Sequence, residues 1–229
     1  MSNAPATCWT VIQGAAAGRA EDREDFARRY EPIIRAYLAA RWAGSPLVAE
    51  IDDALQEIFV DCFRAGGVLE RAEVDKPGGF RSFLYGVIRI AALRAEKGRT
   101  HRDARASPTS VDLAGIAADE TTMSRMFDRE WARAQVRSAM RLQEQRAKRD
   151  GPEALRRVEL LRIRFVDGKP IREIAEMWGV DPAQLHRDQT RGRREFKKAL
   201  FDVIRAQSPG SDELVVLECE ELLARLRDA

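Results

Sequence analysis

Histidine and cysteine are scarce in this chain. The two histidines, His101 and His186, leave little material for an imidazole metal site or a hydrolytic triad. The three cysteines, Cys8, Cys62 and Cys219, are far apart and form no CxxC pair. That pattern fits a reduced, cytoplasmic chain without a structural metal. Glycine (15) and proline (9) are too few for a fibrous or low-complexity protein. No run approaches the ~20 consecutive apolar residues of a membrane span. The N-terminus lacks the basic start and apolar stretch of a secretion signal. GxGxxG, HExxH and GxSxG are absent. Gly168-Lys169-Pro170 resembles a phosphate loop but lacks the Ser/Thr after Lys and the upstream glycine. These absences argue against an enzyme and against a resident metal or cofactor.

What remains is helix-forming and highly charged. Of 229 residues, 45% are apolar and 33% charged, enough apolar material for a core. The net charge of +2 hides strong local segregation. Strand-like alternation is scarce, so the chain reads as all-α: two small helical domains, a flexible linker and a short C-terminal helix. Residues 1–20 are small and weakly patterned and read as a loose N-terminus or a short helix. A first domain, 21–105, holds helices near 25–42, 52–64 and 80–97. The segment 106–124, with Ser107-Pro108-Thr109-Ser110 and an acidic balance, reads as the linker. A second domain, 125–205, holds helices near 125–149, 153–166, 170–178 and 182–205. Residues 206–229 form an acidic extension of net charge −4.

The most specific local signal lies at 170–205. Pro170 suits a first helical turn, and Ile171, Ile174, Ala175 and Trp178 share one face. Gly179 stands where a helix ends in positive φ. Asp181 is an N-cap and Pro182 follows at the first helical position. The second helix buries Leu185, Phe196, Leu200 and Val203, and Gly192 permits close helix contact. This is the layout of a helix-turn-helix. From Pro182 to Lys198 the net charge is +4. Gln184, His186, Arg187, Asp188 and Arg191 project from the N-terminal half, where they can reach base edges, and later cations such as Arg194 can hold phosphates. The competing reading is a solvated amphipathic helix in an ordinary bundle.

The first domain carries faces of opposite sign. Ala54, Leu55, Ile58, Phe59, Cys62 and Phe63 make one apolar helix face. Asp53, Glu57 and Asp61 stack on the other at i, i+4, i+8, with Gln56 beside them. Like charges at that spacing repel by a few tenths of a kcal/mol, a cost that a solvated face tolerates and a basic partner relieves. From Phe80 to Arg105 the net charge is +5, and Phe80, Phe83 and Tyr85 interleave with the arginines. Arginines attract phosphates and aromatics stack on unpaired bases, although Phe83 lies on the core stripe.

With these features in hand, the sequence resembles a bacterial RNA polymerase sigma factor of the sigma-70 family, extracytoplasmic-function type. Asp52-Asp53-Ala54-Leu55-Gln56-Glu57-Ile58-Phe59 is similar to the acidic helix of region two. Phe80-Arg81-Ser82-Phe83-Leu84-Tyr85-Gly86-Val87-Ile88-Arg89 is similar to the helix that follows it, and Pro170 to Phe196 resembles region four. Order and spacing agree from about Phe26 to Val203. The resemblance implies core RNA polymerase (its β′ clamp helices and β subunit) and promoter DNA as partners, and admits an anti-sigma factor. It implies Asp53, Gln56 and Glu57, with Asp61, as polymerase contacts. It further implies His186, Arg187, Thr190 and Arg191 as minus-thirty-five contacts, and Arg89, Lys97 and Arg99 as minus-ten contacts. Ile90 replaces a frequent Asn, Phe83 a Trp, and Gln189 a buried leucine. The long loop at 65–79, the segment 125–150 and the acidic tail are similar to a divergent, extended subgroup.

Two other functions fit the same residues. One is a helix-turn-helix regulator acting as a dimer on symmetric DNA. The other is a sigma-like adaptor that does not open promoters. In the tail, Val215, Cys219, Leu222 and Leu226 form an apolar stripe that either packs on the last domain or covers a basic face.

Overall fold

The computed structural model describes residues 8–73, 79–106, 120–206 and 212–227; at Cys8, 100–106, Asp212, Leu214 and 224–227 only the backbone is described. The helices are α1 (Cys8–Ala16), α2 (Ala20–Arg41), α3 (Ile51–Phe63), α4 (Gly79–Ala106), α5 (Glu120–Asp150), α6 (Pro152–Phe165), α7 (Ile171–Trp178), α8 (Pro182–Arg205) and α9 (Asp212–Arg227). No strand occurs among the described residues. The all-α expectation therefore holds. Pro77, Gly78, most of the expected linker and Ser208-Pro209-Gly210 lie outside the described residues.

The chain divides into two compact units, and the division falls inside α5 between Ala134 and Gln135. In the first unit α2 packs on α1 and α3, and α3 packs on α4. Its core is rich in rings: Phe26, Tyr30 and Tyr37 of α2 and Phe80 of α4 are buried. Leu55, Ile58 and Cys62 of α3 and Leu84, Ile88 and Ala92 of α4 complete it. The expected stripes of α3 and α4 thus point inward, with Ala54, Phe59, Phe63, Phe83, Val87, Ala91 and Ala95 half-buried at their edges.

Of the two readings of the N-terminus, the structure shows the short helix over part of it. Cys8–Ala16 is a helix, and Trp9, Val11, Ile12 and Ala15 are buried, with Trp9 edge-on to Phe80 at 5.9 Å. Small residues around this short face dilute its periodicity in the sequence. Arg23 fastens it, donating from Nε to the Ala15 carbonyl (3.2 Å) and from Nη2 to the Phe63 carbonyl (2.6 Å). Both carbonyls belong to last helical turns, and that of Ala15 also accepts from the Gly18 N–H at 3.2 Å.

A departure from expectation concerns α5. The sequence pattern starts a second domain at 125, yet Met123, Phe127, Trp131 and Ala134 join the first unit's core. Phe127 meets Tyr37 and Tyr85, and Trp131 stacks on Tyr30 at 5.8 Å. These apolar positions recur at i, i+4, i+8, i+11, a helical stripe obscured by charged neighbours such as Asp128-Arg129-Glu130.

In the second unit α6, α7 and α8 pack pairwise on one another. One buried cluster joins Leu160, Ile163, Ile171, Ile174, Ala175 and Leu185, with Trp178 and Val180 against it, and Ala199, Leu200 and Ile204 of α8 are buried as well. Gly179 ends α7 at φ 63°, ψ 37°, the left-handed conformation that a tight turn needs. The Asp181 carboxylate accepts from the Ala183 N–H at 2.9 Å, capping α8 as expected. A Cβ at Gly192 would lie 3.3 Å from Leu161, so this position sets how closely α8 approaches α6. The Gly192 carbonyl accepts from Gln143 Nε2 of α5 at 3.0 Å. Leu185 and Leu200 are buried, whereas Phe196 and Val203 are half-buried.

Candidate nucleic-acid and partner interfaces

Helix α8 sorts its side chains by charge. Asp188, Gly192, Glu195 and Ala199 follow i, i+4, i+7, i+11 and form the inward edge. Gln184, Arg187, Arg191, Arg194 and Lys198 follow i, i+3, i+7, i+10, i+14 and are exposed. His186, Thr190 and Lys197 are exposed too. His186, Arg187, Thr190, Arg191 and Arg194 line one concave stretch of surface. Arg187, Arg194, Lys197 and Lys198 make no ion pair among the described residues. Arg191 reaches Glu195 at 3.4 Å. The Thr190 hydroxyl donates to the His186 carbonyl at 2.9 Å, which leaves its oxygen free to accept.

Both acids of α8 between 182 and 198 are withdrawn from this face. Glu195 accepts a bidentate pair from the buried Arg157, at 2.8 to 3.1 Å. Its carboxylate holds the Arg157 guanidinium above its ordinary pKa. Asp188 is 27% exposed and lies 3.8 Å from Arg156 Nη2. Asp188, expected to project with Arg187 and Arg191, instead lies on the inward edge with Gly192 and Ala199. Arg156 and Arg157 were not among the expected site residues. Their sequence shows two more arginines on a charged helix and nothing of what they face.

Beside α8, Phe165 and Val166 at the end of α6 are exposed, and the guanidiniums of Arg164 and Arg193 each lie 5.8 Å from the Phe165 ring centroid.

The basic helix α4 is arranged differently. Arg81 bonds Asp128 at 2.5 Å, Arg89 holds both Glu120 oxygens at 2.9 and 3.0 Å, and Arg99 meets Glu50 at 2.9 Å. Arg94 lies 3.5 Å from Asp61. Lys97 is exposed and makes no ion pair among the described residues. The side chains of His101, Arg102 and Arg105 lie outside the described residues. Of the aromatics that interleave with these cations, Phe80 is core, and Tyr85 is half-buried against Tyr37 and Phe127. Burial pushes the Tyr85 phenol up to about 12.

On α3 the acidic face is exposed at Asp53, Gln56 and Glu57. Asp53 and Glu57 have no ionic partner among the described residues. They line a cleft with Glu50, Ala54 and, from α4, Arg94, Ala95 and Gly98. Asp61 is half-buried and meets Arg64 and Arg94, so it sits at the edge of the stripe rather than on its free part. Val60, 65% exposed, adds an apolar contact to this face that the acidic pattern concealed. Asp52 bonds Arg35 at 2.6 Å, which raises the guanidinium's pKa.

No group of three or more His, Cys, Asp or Glu is placed to hold a metal among the described residues. No helix among them is long and apolar enough to cross a membrane. No family model matches the chain, and no curated protein matches it significantly.

Proposed function

We propose that this chain is a sigma-type specificity subunit that docks on core RNA polymerase and directs it to promoters. One observation carries the reading: the outward row of α8 bears cations and neutral hydrogen-bonding groups, with both nearby acids turned to α6. A cationic, hydrogen-bonding row of this kind suits a helix entering the major groove, because a carboxylate facing phosphates opposes binding. Gln184, His186, Arg187, Thr190 and Arg191 read or hold the upstream element, and Arg194 binds the backbone. On α3, Asp53, Gln56 and Glu57 with Val60 offer an unneutralised acidic and apolar patch for a basic partner surface. Arg89, Lys97 and Arg99 serve the downstream element, and Arg89 and Arg99 exchange Glu120 and Glu50 for phosphates when they do so. The mechanism is positional, with no bond made or broken by this chain.

Run-off transcription with core polymerase and genomic fragments tests this directly. The chain should produce discrete transcripts that core polymerase alone does not. Asp53→Arg with Glu57→Arg should abolish co-purification with core polymerase yet leave duplex binding intact. Duplex binding without any polymerase association would identify a helix-turn-helix regulator instead. Polymerase association without transcripts would identify an adaptor.

A further inference from the structure

Arg156, Trp178 and Asp188 come from three different helices, α6, α7 and α8, and meet at one place. The Arg156 guanidinium lies 5.5 Å from the Trp178 ring centroid. Its Nη2 is 3.8 Å from Asp188 Oδ2, an ion pair too long for a hydrogen bond. Its Nε and Nη2 are buried and have no hydrogen-bond partner among the described residues. Packing of α6 alone does not call for such an arrangement, because a half-exposed arginine ordinarily carries its head group into water. Here the head group is held against the first helix of the helix-turn-helix and beside the one acid in the N-terminal half of the second.

We infer that Arg156 is a positioning residue for nucleic-acid binding: braced on Trp178, it neutralises Asp188 and keeps that carboxylate out of the groove-facing row. The inference rests on the DNA-binding reading of α8 and adds a role that reading does not assign. Asp188 directly follows Arg187 and lies three positions before Arg191. Released, its negative charge would neighbour both cations and face the phosphates. Arg157 does the equivalent for Glu195 through direct hydrogen bonds, so the two adjacent arginines of α6 divide between them the two acids of α8 that lie between 182 and 198.

The test uses the full-length chain, a mixed-sequence DNA duplex and salt titrations over roughly 50 to 200 mM. Arg156→Gln should weaken binding about three- to tenfold, as expected for one unmasked charge near the interface. Asp188→Asn added to it should restore wild-type affinity. The double variant should also keep the wild-type slope of log affinity against log salt, since Arg156 itself touches no phosphate. Asp188→Asn alone should bind as tightly as wild type or a few-fold tighter.

Four results overturn the inference: no loss on Arg156→Gln, a loss that Asp188→Asn does not rescue, weaker binding by Asp188→Asn alone, or a double-variant slope smaller by about 0.9, the signature of a lost phosphate contact. Helical circular dichroism is read beside each titration, so that a loss of affinity that only follows unfolding of the Arg156→Gln chain is counted with the second of these. If the wild-type chain fails to bind the duplex at low salt, the DNA-binding reading falls with it; the other outcomes bear on Arg156 alone.

Discussion

Helices α4 and α8 have similar basic composition and opposite electrostatic fates. On α4, each arginine whose side chain is described is matched to a carboxylate of the same unit: Arg81 to Asp128, Arg89 to Glu120, Arg94 to Asp61 and Arg99 to Glu50. On α8, Arg187, Arg194, Lys197 and Lys198 keep their charge unmatched among the described residues, and the acids face inward. Net charge along a sequence therefore measures two different things. On α4 much of it is used in fastening helices together. On α8 it remains available to an external anion. Exposed pairs of this kind contribute ~0–1 kcal/mol each, so those of α4 are exchangeable rather than locked.

The largest expected effect comes from removing the scaffold beneath the free cations. Ile174 is fully buried in the cluster that joins α6, α7 and α8. Ile174→Ala should cost about 2–5 kcal/mol, and the urea midpoint of duplex binding should fall accordingly. An equally deep truncation in the first unit, such as Leu84→Ala, should leave duplex binding through α8 largely intact. If both truncations weaken duplex binding equally, the contrast between the two helices is lost.

Next in size is loss of the α8 cations themselves. Arg187→Ala with Arg194→Ala should reduce duplex affinity roughly tenfold or more. The salt slope should fall by about 1.8, because two phosphate contacts are removed at ~0.9 each. The parallel pair Arg81→Ala with Arg94→Ala on α4 should change that slope little. Filter binding across a salt series measures both.

Much of this contrast is legible in the sequence, but unevenly. The turn at Gly179, the cap at Asp181 and the apolar faces of α3, α4 and α7 follow from local rules that a sequence displays directly. The acidic face at Asp53 and Glu57 and the outward position of Arg187 and Arg191 follow from helical periodicity alone. What the sequence concealed is long-range pairing. Glu120 is 31 residues from Arg89, and Asp128 is 47 from Arg81. No local pattern joins them. A different reason hides α1, whose short face of Trp9, Val11, Ile12 and Ala15 is diluted by small neighbours, and the start of α5, whose rings sit among charges. Asp188 is the instructive site residue: its place on a basic helix suggests a base contact, whereas its register with Gly192 and Ala199 sets it on the inward edge, where Arg156 of α6 meets it.

Alkaline titration separates the units by another route. The three tyrosines, Tyr30, Tyr37 and Tyr85, all belong to the first unit. Burial raises the Tyr37 phenol above its ordinary pKa and the Tyr85 phenol to about 12. A raised phenol pKa means that the folded state favours the protonated form. The associated stability is complete below about pH 10 and is lost as pH climbs from about 10 toward 12. Near-ultraviolet spectra should therefore show the first unit loosening over that window, with tyrosinate appearing late and cooperatively. Tyrosinate appearing as a simple titration near pH 10 would contradict the burial.

The smallest expected effect is the most direct probe of exchangeability on α4. Glu120 is the first residue of α5, and its carboxylate takes both hydrogen bonds from Arg89 Nε. Tyr85 also donates to it, at 3.4 Å, and Arg41 Nη1 lies 3.8 Å away. Glu120→Gln keeps the size of the side chain and removes the charge. With both partners half-exposed or more, the loss of stability should stay within ~1 kcal/mol. Arg89 is then free to meet a phosphate, so affinity for single-stranded DNA should rise two- to fivefold and its salt slope should steepen by about 0.7. Arg89→Gln in the same background should cancel the gain, which separates release of Arg89 from a general change in net charge. An equal gain in the presence and absence of Arg89 would mean that Glu120 repels nucleic acid by itself, and that the pairing on α4 masks nothing.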